Sequence, residues 1–338
     1  MSTPTGLFLL SEDAYAAVYE PHAAKEIAGS VNIIAPPHTA HTIHENLDLL
    51  QSIDFIFSGW GMPKVTSEFL TAAPNLKVIF YGAGSVNAWA TPAMWQRGIA
   101  VTTANQANAV PAAEFTLATI LFSLKHGFRL AKDQTTTRGF MIRPEVPGCY
   151  RSVVGLIGMG TVARLVVSLL RPFEVSVVAY DPYLTDSDAR QLGVSKVSLA
   201  ELFSVSDAVS LHAPDVPQTR GMITGEHITS MKPGATFINT ARGNIVREDE
   251  MIIALRNRLD LQAVLDVTQR EPLPTSSPLN DLPNVTITPH IAGSQGRECQ
   301  RMGQYMVDEL QRYLAGVPLL WQVKPSELEH SVHQLAVA

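Results

Sequence analysis

Val153-Val154-Gly155-Leu156-Ile157-Gly158-Met159-Gly160-Thr161-Val162-Ala163 runs from an apolar strand through a glycine turn into a helical stretch, and the next apolar strand, Val175–Tyr180, closes on Asp181. This order of strand, glycines, helix, strand and acid is that of a dinucleotide-binding unit. Gly158 permits the tight turn, Gly160 lets backbone N–H groups approach a pyrophosphate together with Met159, and Ala163 allows close packing of helix on strand. About twenty residues beyond the glycines, Asp181 can accept hydrogen bonds from both ribose hydroxyls of an adenosine. A 2′-phosphate would be repelled there, and Pro182 and Tyr183 bring no compensating cation. The expected cofactor is therefore NAD(H) rather than NADP(H).

Outward from this segment, short apolar runs alternate with helix-length stretches. Strands are predicted at Val153–Ile157, Val175–Tyr180, Ala208–Leu211, Ala235–Ile238, Gln262–Leu265 and Val285–Ile287. An earlier series has strands at Leu7–Leu10, Asn32–Ala35, Asp54–Phe57 and Lys77–Tyr81, with helices over 11–29, 40–51 and 65–73. Both series imply parallel sheets covered on two faces, so the fold class is α/β with two doubly wound domains. Pro111–Ala131, with Pro at its start and apolar residues at helical spacing, predicts one long helix joining the domains. A second long amphipathic helix is expected over 294–315. Too few residues follow it for a further domain, so the tail should return to the first one.

Composition removes other classes. The 338 residues exceed one typical domain. With 46% hydrophobic and 17% charged residues the chain is globular. A net charge of −6 without a long cationic run argues against nucleic acid as a partner. No apolar run approaches the ~18–20 residues of a spanning helix, so no membrane partner is expected. Cys149 and Cys299 match no metal or redox spacing, and with no secretory signal pattern at residues 1–10 the expected location is cytoplasmic.

Reactive side chains gather just past three strand ends: Asn239-Thr240-Ala241-Arg242-Gly243; Leu265-Asp266-Val267 with Glu271-Pro272; and Thr288-Pro289-His290-Ile291-Ala292-Gly293. Singly, these read as a surface Arg, a solvated Glu and a loop His. Together and in this order the chain resembles the D-isomer-specific 2-hydroxyacid dehydrogenase family over residues 50 to 315. Ala107-Asn108-Ala109-Val110 and Leu211-His212-Ala213-Pro214 with Thr219-Arg220 extend the match. The resemblance implies a split flavodoxin-like substrate domain (1–106 and 294–338) around an inserted Rossmann NAD-binding domain (107–293). It implies an NAD-dependent enzyme interconverting a 2-oxoacid and a D-2-hydroxyacid, and a homodimer paired through its cofactor domains with residues 132–150 in the contact. Arg242, Glu271 and His290 match the family's chemistry-bearing residues. An arginine can clamp a carboxylate through paired hydrogen bonds. A histidine can donate a proton near neutrality, and a neighbouring carboxylate orients it. By the same resemblance Thr161, Val162, His212, Ala213, Pro214, Thr219, Thr240, Ala241 and Gly293 line the cofactor, Asp266 holds its carboxamide, and Gly84 and Ser85 bind the substrate carboxylate.

Two departures from the family pattern limit any transfer of substrate identity: Thr268 replaces an aromatic after Asp-Val, and Asn87-Ala88 stands where an Asp-Asn pair is frequent. Trp60, between glycines after a predicted strand, is a candidate to line the substrate pocket, and Tyr81 and Trp89 offer further apolar surface. Lys64 is the one cation near these segments, so unphosphorylated 2-oxoacids are expected. His38, His41 and His44 fall three apart but lack a matching fourth ligand, and no metal is expected; His330 and His333 read as solvated. Competing readings are a dinucleotide-sensing corepressor on the same fold, a phosphite-oxidising relative sharing the triad, and a formate dehydrogenase, against which Glu271 argues because that class pairs its His with Gln.

Overall fold

In the computed structural model, which describes residues 3–137 and 145–324, the chain folds as two compact units. One runs to Asn108 and resumes at Ser294; the other is Ala109–Gly293. His330, His333, the tail beyond Lys324 and the middle of 132–150 lie outside the described residues.

The first unit holds a five-stranded parallel sheet in the order β2-β1-β3-β4-β5, with β1 Thr5–Leu9, β2 Asn32–Ile33, β3 Phe55–Ser58, β4 Val78–Tyr81 and β5 Ala100–Thr103. Strand residues alternate between two cores, Leu7, Ile56 and Ile79 on one face and Phe8, Phe57 and Phe80 on the other. The helix Glu298–Leu314 sends Met302, Met306 and Leu310 into the second of these cores, so the C-terminal segment completes the first unit. Glu309 of this helix is buried and accepts from the backbone N–H of Leu320 and Trp321 at 3.0 and 3.1 Å, fastening the chain that follows.

The second unit holds seven parallel strands in the order β12-β11-β10-β9-β6-β7-β8. They are β6 Val153–Ile157, β7 Ser176–Tyr180, β8 Ser195–Lys196, β9 Ala208–Leu211, β10 Thr236–Asn239, β11 Gln262–Leu265 and β12 Val285–Ile287. Ile157 pairs with Tyr180 and with Leu211, Leu211 with Asn239, Asn239 with Leu265, and Leu265 with Ile287. Six strands therefore end in one row. The residues that step off it are Gly158, Asp181, His212, Thr240, Asp266 and Thr288.

Four expectations need correction. The long helix over Pro111–Ala131 is two helices, Asn105–Ser123 and Gly127–Thr137, bent by 61°. His126 adopts a left-handed φ of 51° at the break, and a Cβ on Gly127 would stand 2.3 Å from the Phe122 ring, so only glycine lets that ring fold over. The helix over 11–29 is Glu12–Val18 and His22–Ala28, parted at Pro21, which has no N–H to continue a helix. The stretch 40–51 is a short helix, Ala40–His44, and a 3₁₀ turn, Leu47–Ser52. Finally, β5 and β8 add a strand to each sheet. No single described helix is long and apolar enough to cross a membrane.

Candidate active site

The glycine turn after β6 comes first. Gly158 has φ 85°, and a Cβ there would lie 2.7 Å from Cα and N of Ala213, so the backbone after β9 packs directly against it. Gly160 caps the helix Thr161–Leu170 without a side-chain partner, and a Cβ at Gly160 would meet nothing within 4 Å. The helix N-terminus behind it is thus open to an anion. Asp181 accepts from the backbone N–H of Met159 and of Tyr183, both at 2.7 Å. Its carboxylate therefore fixes the glycine turn, a task the sequence did not disclose.

After β9, His212 N donates to Ile157 O at 2.7 Å, and its Nε2 lies 3.0 Å from Ser210 Oγ. Burial pushes this imidazole down to about 4, so it is neutral at pH 7 and serves structure better than acid–base work. Thr219 spends its hydroxyl within its own loop, on Pro214 and Val216.

After β10 the turn is built by Asn239, which is 1% exposed. Its Oδ1 accepts from Ala241 N at 3.0 Å, and its Nδ2 donates to Arg242 O at 3.1 Å. Thr240 Oγ1 meets Thr116 Oγ1 at 3.3 Å. Arg242 is exposed, with one guanidinium nitrogen 2.6 Å from Ala241 O. Gly243 presses on the next loop, because a Cβ there would stand 2.0 Å from the carbonyl carbon of Thr268.

Asp266, 2% exposed, turns its carboxylate to the loop after β12. Oδ1 accepts from Thr288 Oγ1 at 2.6 Å and Ile291 N at 2.8 Å, and Oδ2 from Ala292 N at 2.8 Å. His290 N donates to Asp266 O at 2.9 Å, and His290 holds φ 54°. With three bonds already made to protein, the Asp266 carboxylate organises the His290 loop, whatever else it also holds. Glu271 completes the group: Oε1 accepts from Thr268 N at 3.2 Å, and Oε2 lies 2.7 Å from His290 Nδ1. A carboxylate only accepts, so Nδ1 carries the proton.

In the first unit, Trp60 is 42% exposed and its carbonyl accepts from Ser11 N at 2.9 Å. Gly84 is half-buried, and the exposed Ser85 takes Asn87 N on its hydroxyl at 3.4 Å. Tyr81 and Trp89 do not offer open surface: both are buried, with ring centroids 5.0 Å apart. Tyr81 shares a strand face with the core residue Ile79, which is why it points inward. His38 Nδ1 lies 3.1 Å from Thr42 Oγ1.

Residues 117–292 match the family model described as D-isomer specific 2-hydroxyacid dehydrogenase, NAD binding domain. The chain belongs to this family. It is 34% identical over 256 residues to an (S)-sulfolactate dehydrogenase of Chromohalobacter salexigens, covering 74% of this chain and 82% of that protein. A D-3-phosphoglycerate dehydrogenase of Mycobacterium tuberculosis is 33% identical over 255 residues, 75% of this chain and 48% of that one. The chain thus spans about half the length of the phosphoglycerate dehydrogenases it matches. Among solved structures, D-mandelate dehydrogenase of Rhodotorula graminis shares the fold with a TM-score of 0.80 at 22% identity, covering 96% of this chain and 98% of that one.

The family's NAD fits the residues present. Gly158 allows the close backbone approach, Gly160 leaves the helix N-terminus open to the pyrophosphate, and Asp181 supplies the acid at the ribose position. Sequence reasoning quoted Asn239 and Arg220 without giving them these tasks, and missed Glu248, whose Oε2 accepts from Gln269 N at 2.8 Å, together with Asp215 and Asn244. Asn239 had a usable signal, an amide at a strand end able to bond its own turn. Glu248 reaches Gln269 across 21 residues and Asn244 reaches Asp215 across 29, which no local pattern reveals, whereas Arg220 stands five residues from Asp215.

Proposed function

We propose that this member of the family interconverts a 2-oxoacid and a D-2-hydroxyacid with NAD(H), using Arg242, Glu271 and His290. The observation that carries the reading is the 2.7 Å contact of Glu271 Oε2 with His290 Nδ1, on loops anchored to neighbouring strand ends. Arg242 binds the substrate carboxylate and polarises the adjacent carbonyl. Bound NADH supplies a hydride to the keto carbon. Nε2 of the His290 imidazolium gives a proton to the resulting alkoxide, leaving a hydroxyl and a neutral ring; in oxidation Nε2 takes it back. Glu271 keeps the Nδ1 proton in place and stabilises the charged ring. NADH is preferred to NADPH, since a 2′-phosphate would meet the Asp181 carboxylate.

The loops Ser58–Met62 and Tyr81–Trp89 contain no cation, and the exposed Lys64 is the nearest in sequence, which supports unphosphorylated substrates. Two such chains pair through the second unit, where Phe122 is 47% and Tyr150 61% exposed, with Phe128 edge-on to Phe122. The free thiols of Cys149 and Cys299 fit a reducing, cytoplasmic setting. The test is NADH oxidation across glyoxylate, hydroxypyruvate, pyruvate, phenylpyruvate and branched 2-oxoacids. Turnover of at least one supports the proposal, and negligible turnover of all, with a partner protein retained only in the presence of NADH, refutes it.

A further inference from the structure

Asp215 lies four residues beyond the end of β9 and has no part in the roles given to Arg242, Glu271 and His290. Arg220 Nε donates to its Oδ1 at 2.7 Å, and Asn244 Nδ2 to its Oδ2 at 3.2 Å. Asn244 sits two residues past Arg242, in the turn Gly243–Ile245. Gly221 N donates to Asn244 O at 2.9 Å and Ile223 N to Ile245 O at 3.0 Å, so the loop carrying Asp215 is zipped to the turn carrying Arg242. The Asp215 side chain is 19% exposed against 59% for Arg220, so this carboxylate is fixed in place. Burial alone would raise its pKa. Arg220, Asn244 and the charge of Arg242 outweigh that and hold it below the usual carboxylate value, so it is ionised at neutral pH.

We propose that Asp215, braced by Arg220 and Asn244, is the residue that makes the anion site at Arg242 select singly charged 2-oxoacids over doubly charged ones. Arg220 and Arg242 contribute two positive charges and Asp215 one negative, a local balance of one positive charge among the three. One substrate carboxylate satisfies that balance. A second anionic group would meet a fixed like charge, and the cluster's second cation, Arg220, is already paired to Asp215. The inference rests on Arg242 being the substrate anchor.

The experiment uses the full chain with NADH and a matched five-carbon pair, 2-oxovalerate with one carboxylate and 2-oxoglutarate with two. Asp215→Asn, nearly isosteric, should shift the kcat/KM ratio toward 2-oxoglutarate by about five- to tenfold at low ionic strength, the size of one screened charge interaction. Raising the salt should shrink that shift. Asp215→Glu, which keeps the charge, should retain the wild-type ratio, and Arg220→Gln should move it the other way. An unchanged ratio in Asp215→Asn, while 2-oxovalerate is still reduced, overturns the inference and leaves the oxidoreductase reading standing. Loss of both activities in Asp215→Asn and Asp215→Glu alike, with folding retained by thermal denaturation, assigns Asp215 a structural role and overturns it too. If the wild type reduces no 2-oxoacid, Arg242 is not a carboxylate anchor and both readings fall together.

Discussion

Gly243→Ala tests whether the site depends on the close approach of its loops. The added methyl carbon would stand 2.0 Å from C and 2.1 Å from O of Thr268, and 2.3 Å from N of Gln269, all backbone atoms. Ordinary contact begins near 3.4 Å, so the two loops must part by roughly 1.4 Å. The opposing peptide cannot yield alone, because Gln269 N is bound to Glu248 and Thr268 N to Glu271. Overpacking of this kind costs about 1–3 kcal/mol. At about 2–4 °C per kcal/mol for a unit of this size, the melting temperature should fall by roughly 2–12 °C. Activity should fall further, since separating Arg242 from Glu271 by about 1 Å is enough for a loss near 10²-fold. NADH affinity, read by fluorescence titration, should change little, because the glycine turn lies on other strands. Wild-type kcat/KM in a folded Gly243→Ala protein would falsify the claim that this contact sets the catalytic spacing.

Three further outcomes are expected. His290→Ala should lower kcat by about 10²–10⁴, whereas Glu271→Gln should be milder, because the amide oxygen can still accept from Nδ1; a Glu271→Gln loss as deep as that of His290→Ala would remove Glu271 from its orienting role. His212 is neutral when folded, its pKa being depressed from 6.5 to about 4 by burial. The unfolded chain thus binds an extra proton between these values, and stability present above pH ~6.5 is lost as the pH falls through that window, by at most about 3 kcal/mol. His212→Gln should flatten the fall in melting temperature over that range, and a slope equal to wild type would show that another group governs it. Gly160→Ala should leave the melting temperature unchanged, since a Cβ there meets no atom, while weakening NADH binding measured by calorimetry; tight binding would mean that the pyrophosphate lies elsewhere.

The strand ends of the second unit were readable because parallel strands buried on both faces appear as unbroken apolar runs that stop where polar residues begin. Arg242, Glu271 and His290 follow such stops, so their neighbourhood could be inferred before their distances were known. The two added strands were silent for different reasons. Ser195–Lys196 is a two-residue edge with both side chains exposed and carries no apolar signal. Ala100–Thr103 is short, and half of it is threonine. The broken helix was hidden because its break depends on Phe122 folding over Gly127, a contact with no helical-period signature. The bonds of Glu248 to Gln269 and of Asn244 to Asp215 were invisible since these partners lie far along the chain, and the same holds for the approach of Gly243 to Thr268.

The loop carrying His290 leaves β12, a three-residue strand at the edge of the sheet, paired on one side only. Edge strands are where native-state opening is cheapest. A slip of one residue there would carry His290 about 3.3 Å from Glu271. The bonds from Thr288, Ile291 and Ala292 to Asp266 reach past β12 to the more interior strand β11, like a guy-rope pegged inside the border. Hydrogen exchange at the Ile291 and Ala292 amides therefore gauges how often His290 is in register, and it does so without substrate or cofactor.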